Sequence, residues 1–356
     1  MHAILVTPKR VVRMAVLAIL AAALLLVIPP TGQKASADPS PLGQPYAVTL
    51  VVSDLAAAKS ALSQGAGVDW MAQTQLQLNT EFNGDPNTKQ KVTLDRVFSK
   101  ADQPFIELVK ATPEAGHTLA GTPWEPNISS TDYFAVGYLT YRVDGVNRAG
   151  THLREAADMK LIAESRANFE IYEGHNGVRV QVIRDDLAPA RGTSSTPQAP
   201  IDLGSVNHGG WHVDAESSHG PVRNQLHDAL GVNWGDIQNF NQTPLNFWDE
   251  VAQEPVTESV DVAISTTTTG GPFIEVASIN PPLFPFNGTA TFSPIHIAFA
   301  VGDANGDIGE ARKQLETAGC QWEGGAEISG LEVVAHFSCP GGMDVEILSP
   351  LVAPQP

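Results

Sequence analysis

Cysteine is nearly absent from this chain of 356 residues: there are two, Cys320 and Cys339, so at most one disulfide can form. Basic residues are scarce as well, 21 Lys and Arg against 39 Asp and Glu, a formal charge of −18. Such an acidic surface repels nucleic acid and anionic membranes, and no nucleic-acid partner is expected. Long apolar runs are missing except at the N-terminus. There Lys9, Arg10 and Arg13 precede the run Met14 to Ile28, and Ala35-Ser36-Ala37 follows it. A basic segment, a short apolar core and a small-x-small site read as a secretion signal cleaved after Ala37. The alternative is an uncleaved anchor helix. Cleavage predicts a product that is secreted or held in the periplasm or cell envelope, with no stable membrane association.

Residues 38–356 would then form the mature protein, long enough for about two domains. Four of the basic residues, Lys9, Arg10, Arg13 and Lys34, leave with the signal, and no acidic residue does. That charge keeps a protein soluble, and most of it belongs to a solvated surface. Outside the cytoplasm Cys320 and Cys339 can oxidise, because one opens a strand and the other closes the next antiparallel one. Two buried thiols are the alternative.

A unit of strand, helix and further strands recurs four times, giving an α+β chain. The first opens at Tyr46 to Val52, continues with a helix from Leu55 to Gln64 stopped by Gly65, and closes at Pro104 to Val109. The second opens at Gly137 to Val143, has a helix near Val146 to Ala157, and closes at Gly177 to Ile183. Ala188 to Pro200, rich in Pro, Ser and Thr, reads as a linker. The third opens at Trp211 to Glu216, with a helix near Pro221 to Leu230, and closes at Gly271 to Val276. The fourth opens at Pro294 to Val301 and closes at Val345 to Leu348. The closing words of the first and third, Pro-Phe-Ile-Glu-Leu and Pro-Phe-Ile-Glu-Val, nearly coincide, which predicts duplication of a pair of units. The expected organisation is a signal peptide at 1–37, an N-terminal domain of two modules at 38–187, a linker at 188–207 and a C-terminal domain of two modules at 208–356.

Equivalent positions of the units carry the chemistry. The opening strands offer Ala47, Tyr138, His212 and His296, and the closing strands Glu107, Gln181, Glu275 and Glu346. The C-terminal pair thus presents two imidazoles and two carboxylates, a mixed N/O set for a divalent transition metal. His208 could replace His212 if the register differs. On the strand Leu331 to Ser338, alternation puts Glu332, Val334 and His336 on one face. His336 is a candidate proton carrier if that face lines a cleft, and a solvent-facing histidine otherwise. The segment Asn233 to Glu254 holds Trp234, Phe240, Phe247 and Trp248, which either wall an apolar pocket or pack between units.

The chain resembles the vicinal oxygen chelate superfamily, which includes glyoxalase I, bleomycin-resistance proteins and extradiol dioxygenases. His296 to Val301, the Asp307 to Gly319 helix, Pro340-Gly341-Gly342 leading to Val345-Glu346-Ile347, and Gly121-Thr122-Pro123-Trp124 carry the resemblance. It implies four βαβββ modules paired into two domains, whose sheets curl around a cleft. It also implies one divalent ion (Fe, Mn, Ni, Co or Zn) held by His212, Glu275, His296 and Glu346, with the N-terminal domain metal-free. Glu346 or Glu275 would leave the metal and act as base, with His336 as the further catalytic candidate. His336 and Cys339 depart from the Tyr and Asp of the dioxygenase pattern. The expected protein is an exported, metal-dependent enzyme of lyase, isomerase or dioxygenase type, a monomer or homodimer, acting on a small substrate with vicinal oxygens. The rivals are a metal-free protein of the same fold that binds or sequesters a small molecule, an iron dioxygenase, and a scaffold whose His and Glu residues are structural.

Overall fold

The computed structural model describes residues 46–353. Within that span it leaves out 83–84, 101–104, 127–134, 166–167, 175–177, 189–202, 204–205, 214–219, 221, 225, 229–230, 237, 240–246, 250–253, 257–258, 267–272, 281–294, 302–304 and 340–342. The segment expected to be a secretion signal, most of the expected linker and most of the aromatic segment after Asn233 lie outside the described residues.

Four modules follow one another. The first has β1 (Ala47–Val51), α1 (Leu55–Ala66), β2 (Thr74–Phe82), β3 (Asp85–Phe98) and β4 (Phe105–Pro113). The second has β5 (Ala135–Val143), α2 (Val146–Ala157), β6 (Lys160–Ser165), β7 (Phe169–Glu173) and β8 (Arg179–Arg184). The third has β9 (His208–Val213), helical residues at 222–224 and 226–228, the short strands β10 (Asn233–Trp234), β11 (Gln238–Asn239), β12 (Phe247–Asp249) and β13 (Glu254–Val256), then β14 (Ser259–Thr266) and β15 (Phe273–Asn280). The fourth has β16 (Ile295–Ala300), α3 (Gly309–Thr317), β17 (Gln321–Ile328), β18 (Leu331–Cys339) and β19 (Met343–Leu348).

In every module the first strand runs parallel to the last: β1 with β4, β5 with β8, β9 with β15 and β16 with β19. The α+β class and the paired-module plan are therefore as expected. The choice of partners is not. The first module closes a barrel with the fourth, in the order β1-β16-β19-β18-β17-β2-β3-β4. The second and third share the other large sheet, β10-β14-β15-β9-β5-β8-β7-β6, with β11 also on β14. The expected boundary between 187 and 208 thus falls between two strands of one sheet. Each opening strand offers the same kind of edge to any other module, so local sequence does not choose the partner.

Outward residues of β1 and β16 pack on outward residues of β5 and β9. Two glycines allow the approach. A Cβ on Gly137 would meet Ile295 Cβ at 2.8 Å, and one on Gly209 would meet Val48 Cγ2 at 2.9 Å. Val48, Leu50, Leu139, Tyr141, Trp211 and Ile297 form the centre of this core.

Asp54 caps α1, its side chain accepting from Ala56 N and Ala57 N. The helix runs past Gly65 and stops at Gly67, which takes the left-handed conformation at φ 72°. Gly65 sits inside the helix because α2 lies against it: a Cβ there would meet Ala157 Cβ at 2.7 Å. Cys320 and Cys339 are joined in a disulfide that ties the start of β17 to the end of β18.

Candidate functional site

The interior of the barrel is apolar over most of its length, with Ala47, Val51, Leu78, Phe82, Val92, Leu94, Ala298 and Val334. A polar group interrupts it. Thr49 on β1, Arg96 on β3, Glu107 on β4, His296 on β16, His336 on β18 and Glu346 on β19 are each at most 4 % exposed. Register brings them together. Thr49 stands level with Glu107 on one side and opposite His296 on the other. His336 stands opposite Glu346.

Arg96 and Glu107 form a buried ion pair through Arg96 Nε, and Arg96 Nη1 donates to Val352 O at 2.9 Å. The guanidinium also lies 5.0 Å from the centre of the Phe98 ring. Thr49 Oγ1 is 2.9 Å from Glu107 Oε2 and 3.0 Å from Glu346 Oε2. A hydroxyl has one proton, so one of these contacts needs a protonated carboxyl. Burial pushes Glu346 up to about 8, with the Glu107 charge adding to the effect and Arg96 and Thr49 opposing it. At neutral pH Glu346 therefore carries the proton and donates to Thr49, which donates to Glu107. Charge then balances: one guanidinium, one carboxylate, one carboxylic acid.

Two imidazoles complete the cluster. The rings of His296 and His336 are 5.1 Å apart, and His336 lies 5.4 Å from the Trp124 ring, edge to face. Burial, then the neighbouring His296, holds His336 well below the usual imidazole value, so it is neutral. His336 Nε2 is 3.9 Å from Glu346 Oε1, beyond hydrogen-bond range. Among the described residues, His336 Nε2 and Arg96 Nη2 are buried without a hydrogen-bond partner.

The second sheet holds its own cluster. Tyr138 OH donates to Glu275 Oε1, and His208 Nε2 is 3.0 Å from Glu275 Oε2. His208 Nδ1 is 2.7 Å from Asn207 Oδ1. Thr140 donates to Gln181 at 2.8 Å. Burial, followed by the Glu275 charge, pushes Tyr138 well above the usual phenol value, so it stays a donor.

The four expected metal ligands are divided two and two. His296 and Glu346 lie in the barrel, while Glu275 and the backbone of His212 belong to the other sheet. His212 also stands in the wrong register. Glu346 is level with Ala298, two residues past His296, and Glu275 is level with Gly210, two residues past His208. His208 therefore occupies the slot, and His212 pairs with Ala277. Gly209-Gly210 was the sequence signal for this: a Cβ on Gly210 would meet the Tyr138 ring at 2.1 Å. The slots of the second sheet are Tyr138, Gln181, His208 and Glu275; those of the barrel are Ala47, Glu107, His296 and Glu346. The N-terminal modules are consequently parts of both clusters rather than a separate ligand-free domain.

These donors do not fit the expected four-ligand ion. His296 and Glu346 stand in the barrel, while Glu275 stands in the other sheet, held there by a phenol and an imidazole. Among the described residues, no three of His, Cys, Asp and Glu are grouped so that they could hold one metal. Sequence reading missed Arg96 and Thr49. Arg96 stands in the apolar alternation Val92, Leu94, Arg96, Phe98, where an inward arginine demands an acidic partner.

No protein-family profile matches this chain, and no curated protein matches it. Solved structures do resemble it. Glyoxalase I from Zea mays is 12 % identical, with 86 % of this chain and 92 % of that one covered, at a TM-score of 0.46. A putative dioxygenase from Bacillus subtilis is 12 % identical, with 86 % and 85 % covered, also at 0.46. A glyoxalase family protein from Bacillus cereus is 17 % identical over 39 % of this chain and 88 % of that one, at 0.27. Superpositions this loose carry no functional conclusion. The parallel pairing of first and last strands in all four modules identifies the chain as an α+β protein of paired βαβββ modules.

Proposed function

We propose that this chain is an exported protein that binds or sequesters a small molecule and works without a resident metal ion. The observation that carries the reading is the buried Arg96–Glu107 pair, a fixed positive charge in the same buried cluster as Glu346, one of the expected ligands. Two compact polar clusters inside otherwise apolar walls suit recognition of a small ligand by a few oriented groups. Each large sheet is completed within one chain, so a second copy is not required to finish either cluster. Export is supported by the N-terminal signal pattern and by the Cys320–Cys339 disulfide, which persists in an oxidising compartment.

The test is elemental analysis of the protein from Asp38 onward, purified without a histidine tag or chelator, beside His296→Ala/Glu346→Ala. The expected result is no stoichiometric metal in either. About one equivalent in the parent that disappears from the variant would instead restore a divalent-metal enzyme of lyase, isomerase or dioxygenase type.

A further inference from the structure

The barrel contains a cation of its own. We infer that the Arg96 guanidinium takes the place of a metal ion there and keeps divalent cations off the donors around it, Glu107, Glu346, His296 and His336. This rests on the metal-independent reading above and names the group responsible for it.

The guanidinium is charged at every accessible pH and is fixed on three sides. Glu107 holds Nε, the Val352 carbonyl holds Nη1, and the Phe98 ring lies beneath it. Both Glu107 oxygens are engaged, one by Arg96 and the other by the Thr49 hydroxyl. The same hydroxyl reaches Glu346, so no carboxylate in the cluster faces the interior with both oxygens free. A divalent ion drawn to this carboxylate pair would meet a like charge already seated in a low-dielectric interior, where repulsion is weakly screened. Arg96 also keeps one unspent donor: Nη2 is buried with no partner among the described residues. His336 Nε2 is also buried with no hydrogen-bond partner among the described residues.

The test is a Co(II) titration, followed by visible absorption, of the parent, Arg96→Lys and Arg96→Met, with folding checked by circular dichroism. The parent and Arg96→Lys should give no ligand-field bands. The donors do not share one point in the parent, and loss of the guanidinium frees the Glu107, Glu346, His296 and His336 side chains to turn toward the vacated space; Arg96→Met should then take up about one equivalent, at least ~10-fold tighter than the parent, and lose it when His296→Ala is added. If Arg96→Met does not fold, Arg96→Met/Glu107→Gln is judged by the same rule. It removes the whole buried pair and leaves His296, His336 and Glu346 as donors. A folded variant that binds no more cobalt than the parent overturns the inference and leaves the metal-independent reading standing. Uptake by the parent overturns both.

Discussion

Glu346 carries its proton where water does not reach it, and that gives the barrel a pH dependence of definite sign. Its folded value of about 8 lies above the ordinary carboxyl value of 4.5. The folded state therefore binds a proton that the unfolded state has released. Stability from this group is fully present below about 4.5 and is lost as pH rises through 8. Urea unfolding at pH 5 and pH 8 should show the parent losing stability across the window. Glu346→Gln, which keeps a donor for Thr49 without a charge, should reduce that loss by about 2 kcal/mol or more. Equal pH dependence in both proteins would mean that Glu346 is ionised in the folded state. At this scale the sequence was partly legible. His296, Glu346, Glu275 and Glu107 were marked by type and position. His208 lost to His212, because a four-residue shift preserves strand alternation and only the facing strand fixes the level. Arg96 escaped notice because an inward arginine has no motif of its own; its partner is supplied by another strand.

At the scale of elements, the helices show how a local signal can be overridden by packing. Gly65 reads as a helix stop, and the helix nevertheless continues to Ala66, because Gly67 supplies the left-handed cap. What Gly65 does supply is room for α2. In an open helix Gly→Ala stabilises by about 1 kcal/mol. Here the new methyl would stand 2.7 Å from Ala157 Cβ and 3.1 Å from Leu153 Cδ2. Gly65→Ala is therefore expected to destabilise, by about 1–3 kcal/mol of overpacking, with a lower melting temperature in calorimetry. A rise in melting temperature would show that α1 and α2 can separate without cost. The second helix, by contrast, was expected near Val146 to Ala157 and spans Val146–Ala157. Its apolar positions Val146, Ala149, Leu153 and Ala157 recur at helical spacing.

The whole molecule is nested: its outer modules build the barrel and its inner modules the other sheet. A split at the linker tests this directly. Residues 38–187 and 208–356, expressed apart, each hold one half of the barrel and one half of the other sheet. Neither should form a stable monomer, since each module's polar ladder edges and apolar face lack their partner. Mixed or co-expressed, they should associate into a one-to-one complex, read by size exclusion and circular dichroism. Two independently folded monomers would sink the nested arrangement. The sequence by itself determined the α+β class, the four repeats, the helices that cap and stop locally, and the chemistry of the slots. Those follow from periodicity, capping and residue type, which are properties of neighbours along the chain. Only the tertiary structure decided which module meets which, that His208 rather than His212 faces Glu275, and that Arg96 sits beside Glu107. Each of those depends on an edge or a charge contributed from a distant part of the chain, where several partners are chemically equivalent until packing selects one.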